Sequence, residues 1–172
     1  VVTVGAEDLP GDELLRGVAW QRSMETAAAT SANPKGGCHA LPAQRLVDFL
    51  AGRTSQWLPS SSCPNPLWPA PLHELLPGFI VDGLTTGLEV FARKMRGLIC
   101  DEALLIGVET RTSAPLRILR DAGNRQSPSN PGLYPIGEGA GYAGGITSAA
   151  ADGIASADAL LQTLPIVAIH GR

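Results

Sequence analysis

The sequence predicts the α/β class, present as an α+β fragment: a mostly helical cap, a short returning sheet, and one strand–turn–helix unit of a neighbouring α/β domain. Three observations carry this reading. Leu84, Leu88, Phe91 and Met95 recur at four, three and four residues, the stripe of an amphipathic helix. Ala103 to Thr110 alternates, imperfectly, as a strand does. Seven glycines crowd residues 132–153, between the apolar run Leu133 to Ile136 and the Ala-rich run Ile146 to Leu161.

Taken in order, Val1 to Val4 reads as a strand apolar on both faces. A helix capped near Asp12 runs to about Ala29, with Leu14, Leu15, Val18 and Met24 on its inner side. Residues 31–37 carry turn chemistry. Pro42 suits a first helical position, and Gly52 ends that helix after Leu46, Val47, Phe49 and Leu50. From Arg53 to Pro71, five prolines argue against regular structure. Trp57 and Trp68 in this loop read as anchors in preference to ligand contacts. Pro77 to Met95 is the clearest helix, with Leu84, Leu88, Phe91 and Met95 expected to be buried. Arg93, Lys94 and Arg96 complement its dipole. A short strand from Leu116 to Leu119, a polar loop from Asp121 to Pro131, a buried strand at Leu133 to Ile136 and the final helix follow. The expected divisions are 1–103 (cap), 104–131 (returning strands and loop), 132–164 (strand, glycine turn, helix) and 165–172 (tail).

The 172 residues suffice for one ordinary core, with 44% hydrophobic and 17% charged residues. A net charge of −3 supplies no general attraction to nucleic acid or an anionic membrane. No apolar run reaches the ~20 residues of a spanning helix, and no secretory leader is visible at Val1. Cys38, Cys63 and Cys100 are scattered and odd in number, which argues against a disulfide framework or a zinc site and fits a reducing compartment. Cys38 and His39 are chain neighbours, which rarely face each other, so a catalytic thiolate is not the preferred reading. No metal site, phosphate loop or Ser/His/Asp grouping emerges.

The glycine-rich segment carries the chemistry. Glycine lets a ligand approach the backbone closely, and a helix N-terminus offers unpaired N–H donors with partial positive charge. Glu138, at the end of the expected strand, is placed to grip hydroxyls, while Gly144 and Gly145 sit where a polar ring or phosphate would rest.

Residues 132–153, GLYPIGEGAGYAGGITSAAADG, resemble the closing segment of the FAD-dependent dehydrogenase-like proteins of bacteria and plant plastids. These are NAD(FAD)-utilising dehydrogenases within the two-dinucleotide-binding-domain flavoprotein superfamily. Three further strings match in order: Gly107 to Arg117 (GVETRTSAPLR), Leu72 to Pro77 (LHELLP) and Pro42 to Leu50 (PAQRLVDFL). The opening G-x-G-x-x-G turn of such flavoproteins is missing, since Val1 to Gly5 leads into Ala6 to Pro10. The resemblance therefore implies the C-terminal portion of the family: a substrate-side cap plus the last strand, turn and helix of an FAD-binding Rossmann-like domain.

By the same resemblance the cofactor is FAD, held by the full-length protein and weakly or not at all by this portion. Gly137, Glu138, Gly139, Gly144, Gly145 and Ile146 are the candidate cofactor contacts. Glu138 would accept a ribityl hydroxyl, and the Gly144, Gly145 and Ile146 amides would face the flavin's pyrimidine edge. Arg111 is a candidate for orienting an anionic substrate or the flavin edge, with Arg117 and Arg120 as alternates. Glu109 is a further catalytic candidate, and Glu109 and Arg111 equally suit a structural ion pair. His73 is a candidate proton donor, with capping or packing the preferred role. The implied activity is flavin-mediated oxidoreduction of an unnamed substrate, in bacterial cytoplasm or plastid stroma. No nicotinamide fingerprint is present. The expected partner is an FAD-binding N-terminal half or a larger assembly, with neither nucleic acid nor membrane insertion. The alternative is a non-catalytic flavoprotein-like subunit serving as a structural module.

Overall fold

The strand β1 (Leu41–Arg45) organises the first of two units. The computed structural model describes residues 1–34 and 39–164 and divides the chain into Val1–Thr110 and Arg111–Arg172. Cys38 and the tail 165–172 lie outside the described residues. Helices and a small mixed sheet make up the structure, as the class predicts. No described helix is long and apolar enough to cross a membrane.

In the first unit, β1 is flanked by β2 (Leu67–Pro69), parallel, and β3 (Leu104–Ile106), antiparallel, in the order β2-β1-β3. Ala43 faces Pro69 on one side and Ile106 on the other. Here the expected helix from Pro42 is corrected. Pro42 lies in β1, and only α2 (Leu46–Leu50) is helical, ended by Gly52 at φ 61°. A proline lacks the N–H a ladder uses. At Pro42 the missing donor falls where β3 is leaving, and the Pro42 carbonyl still accepts from the Gly107 amide at 3.1 Å. Two flanking strands offered this segment more hydrogen bonds than one helical turn could.

The proline-rich loop likewise contains β2, which local composition concealed. Pro69 sits on an outer strand, where it is tolerated.

The helix α1 (Arg16–Ala32) packs on β1 and buries Met24, Ala28 and Ala32, spaced four apart. Alanine at the last two positions lets the helix lie close to the strand. Its start differs from the Asp12 expectation: Leu14 and Leu15 precede the helix and are exposed. Behind β1, Leu46, Phe49, Ala70 and Leu72 complete a small core. The helix α3 (Leu72–Leu75) leads into α4 (Gly78–Lys94), at nearly the expected boundaries. The expected burial of its stripe is corrected. Leu84 and Leu88 are half-buried, Phe91 and Met95 are 55% and 56% exposed, and α4 buries no residue fully. Periodicity marks the face that wants cover without supplying the cover.

In the second unit α5 (Ile146–Thr163) forms where the Ala-rich run predicts it. The strands expected at Val1 to Val4, Leu116 to Leu119 and Leu133 to Ile136 do not form. A strand exists only through a neighbour's ladder, and no described segment pairs with these three runs in that way. The Leu133 segment is held by scattered contacts in place of a ladder: the Leu133 carbonyl accepts from the Ser127 amide at 2.8 Å and the Pro135 carbonyl from Arg120 at 2.8 Å.

Candidate functional site

The glycine turn is built by backbone contacts. The Tyr142 amide donates to the Gly137 carbonyl at 3.0 Å and the Gly141 amide to the Glu138 carbonyl at 2.9 Å. Gly137 and Gly141 have φ of 68° and 82°, in the left-handed region where a side chain is strained. A Cβ at Gly141 would also collide with the Leu116 carbonyl oxygen. These two glycines are demanded by the turn itself.

Gly139 and Gly144 are not. Neither has positive φ, and a Cβ at either would meet nothing within 4 Å. The fold thus gives no internal reason for glycine at these positions, and the space in front of them is open. Beside them, the amides of Gly144, Gly145 and Ile146 donate to no acceptor among the described residues. Gly145 caps α5 without a side-chain hydrogen bond, so the helix end stays available. Ile146 is 94% exposed there. Glu138 is exposed, and its carboxylate accepts no hydrogen bond among the described residues.

Three arginines hold this turn from the 117–125 segment. The Arg117 Nε donates to the Gly141 carbonyl at 3.0 Å, and the Ile118 amide to the Ala140 carbonyl at 3.1 Å. Arg120 meets both oxygens of Asp152, at 2.6 and 2.9 Å, a bidentate geometry. Arg120 also donates to the Pro135 carbonyl at 2.8 Å and lies 3.6 Å from the centroid of the Tyr142 ring. Arg125, itself at φ 61°, reaches Asp152 at 2.8 Å. The Gly137 amide completes the carboxylate's shell at 2.9 Å. The Arg120 hydrogen bond, then the Gly137 amide, hold Asp152 well below the usual carboxylate range, and Asp152 in turn raises Arg120. Of these residues only Arg117 and Arg120 stand out in the sequence as candidates. Asp152 was legible in one respect: it is the lone charged residue in the small-residue run Thr147 to Ala157.

In the first unit, His73 is held structurally. Its amide donates to Gln44 Oε1 at 3.3 Å, so the Gln44 Nε2 must be the donor toward His73 Nδ1 at 2.8 Å. The imidazole is thereby the tautomer with its proton on Nε2. Gln44 is fully buried and spends its second N–H on the Arg53 carbonyl at 2.7 Å. Glu109 and Arg111 lie beyond β3, both exposed, so strand alternation does not govern them. Thr110 between them is tied to α1, its hydroxyl donating to Glu25 at 2.7 Å and its carbonyl accepting from Gln21 at 2.7 Å.

An open depression of about 430 Å³ in the first unit is lined by Arg45, Asp48, Arg53, Thr54, Gln56 and Trp57. Its charges are mutually satisfied: Arg53 bonds Asp48 at 3.0 Å, and Arg45 pairs with Asp48 and Asp101. Trp57 stacks on the Arg45 guanidinium at 4.5 Å, while Trp57 and Trp68 are 50% and 43% exposed and so are not buried in the core. Among the described residues no group of three His, Cys, Asp or Glu side chains could hold a metal ion.

Comparison with known proteins bears on residues in both units. A family model described as "FAD-dependent protein, C-terminal domain-like" matches residues 1–112. An uncharacterized protein of Clostridium beijerinckii is 41% identical over 166 residues, 94% of this chain. Those residues are 30% of the relative's length.

Proposed function

The chain belongs to the FAD-dependent proteins, through their C-terminal domain-like region, and from that premise we propose that it is the C-terminal portion of an FAD-dependent oxidoreductase. Bound flavin would supply electron or hydride transfer, which side chains cannot perform, while the protein supplies orientation and electrostatics. The observation that carries the reading is the pair of glycines, Gly139 and Gly144, facing open space beside the unused amides of Gly144, Gly145 and Ile146. A flat, electron-rich ring edge fits such a surface, and the preorganised N–H groups stabilise negative charge on it. The Glu138 carboxylate is available to accept a ribityl hydroxyl. Arg111 remains the candidate for orienting an anionic substrate. His73 keeps Nε2 alone for proton donation, its Nδ1 being taken by Gln44.

The chain spans about 30% of the length of the curated relative it matches. In this reading the pyrophosphate and adenosine are gripped by a separate FAD-binding portion, the partner this chain needs. The scattered cysteines, with Cys63 and Cys100 both free, support a reducing compartment such as bacterial cytoplasm or plastid stroma.

The test separates fold from ligand. In the product of the complete reading frame, Gly139→Ala and Gly144→Ala are expected to leave the thermal midpoint unchanged and to lower FAD retention after gel filtration. Gly141→Ala is expected to lower both. Gly144→Ala with undiminished FAD would overturn the assignment of this surface. A complete protein that carries no flavin and takes none up in dialysis would leave the structural-module reading in its place.

A further inference from the structure

The loop from Glu138 to Gly145 leaves the turn at Gly137 and ends where α5 begins at Ile146. Asp152 lies near the middle of α5, yet its carboxylate accepts the Gly137 amide. Both ends of the loop are therefore fastened to one helix. The same carboxylate is gripped by Arg120, which also holds Pro135 before the turn and stacks on Tyr142 after it. Arg125 closes the clasp from a left-handed backbone conformation that non-glycine residues seldom adopt.

Stability alone is a poor explanation for this arrangement. A desolvated ion pair seldom outperforms apolar packing of the same volume, and Arg120 and Asp152 side chains are only 9% and 12% exposed. What two arginines and a carboxylate provide, and packing does not, is directional fixing of one amide. We infer that Asp152, clamped by Arg120 and Arg125, is a positioning residue that sets where the Glu138 to Gly145 loop presents its carboxylate and amides, before any ligand arrives. The inference rests on the flavin assignment for what the loop presents itself to, and on geometry alone for the clasp.

Asp152→Glu keeps the charge and moves it by one methylene; Asp152→Asn keeps an acceptor and removes the charge. Both are to be made in the complete protein, with two readouts. In the flavin-free protein, hydrogen exchange at the Gly137, Gly141 and Tyr142 amides is expected to accelerate about tenfold, the loss of roughly one charge-assisted hydrogen bond, with exchange late in α5 unchanged. In the flavin-loaded protein, Asp152→Glu is expected to shift the visible band of bound flavin and hasten FAD release about tenfold at an unchanged thermal midpoint. A merely structural ion pair would leave the band in place and let release follow the midpoint. Parental exchange at these amides in both variants would overturn the clasp. If exchange accelerates while the parent protein binds no flavin, the clasp stands and the flavin assignment falls. If exchange accelerates but band and release are parental, the clasp has no bearing on the ligand and the positioning role is refuted.

Discussion

Each unit contains an aspartate gripped by two arginines, and the two are used differently. In the first, Asp48 is bonded by Arg53, Arg45 and the Ser55 hydroxyl at the edge of an apolar core containing Ala43, Leu46 and Phe49. The ions there trim a structure that a sheet and two helices already define. In the second, no described strand exists, and among its described residues Pro135 and Ala140 are buried beside polar Ser127 and Ser156. Here the ion cluster fixes the Gly137 amide, and with it the turn, in a unit without a described sheet. Losing the first clasp leaves hydrophobic layers that still define the unit, whereas losing the second removes the contact that fixes the glycine turn against α5.

The contrast can be broken at several points. The largest effect is expected at Phe49→Ala, which should cost about 4 kcal/mol in denaturant unfolding, as emptying a packed core site does. Next, Asp152→Ala should cost about 3 kcal/mol, because it strands two partly buried guanidiniums. That loss should register at Tyr142, whose fluorescence and amide exchange report the second unit. Asp48→Ala should cost less, about 2 kcal/mol, since Arg53 is mostly exposed and can return to water. If Asp48→Ala proved the more damaging of the two, the distinction drawn between the units would fail.

Acid provides a subtler probe. Asp152 is held below its unfolded value of about 3.9, so its contribution is fully present above that pH. It is lost progressively as pH falls from there through the depressed folded value. The protection of the Gly137 amide is therefore expected to be level from neutrality to mildly acidic solution, and Asp152→Asn should abolish the decline in more acidic solution. The smallest expected effect is at α4: Leu88→Ala should cost below about 1 kcal/mol, measured by thermal denaturation, because Leu88 is only partly buried on a helix that buries no residue fully.

What could be read from the chain divides along a physical line. The helices α4 and α5 are written locally, in the Leu84-Leu88-Phe91 spacing and in the alanines after Ile146, and both form within a residue or two of the expected bounds. The strands are written in partners. Nothing near Pro42 announces that Leu67 and Ile106 will flank it, and nothing near Leu133 announces that no ladder awaits it. The glycine turn was legible because positive φ leaves its mark on composition. The clasp was not, since Arg120 and Asp152 stand 32 residues apart and only folding brings them together.

The wet face of α4 has a calorimetric consequence. Unfolding raises the heat capacity in proportion to the apolar surface it newly exposes. A helix whose Phe79, Val90 and Phe91 are already 38–55% exposed, with Met95 just past its end 56% exposed, has less left to reveal. Scanning calorimetry of these 172 residues alone should therefore give a heat-capacity step below the roughly 2 kcal/mol/K usual for such a length. The urea dependence should be correspondingly shallow. Both quantities should rise toward ordinary values in any longer chain that covers the stripe.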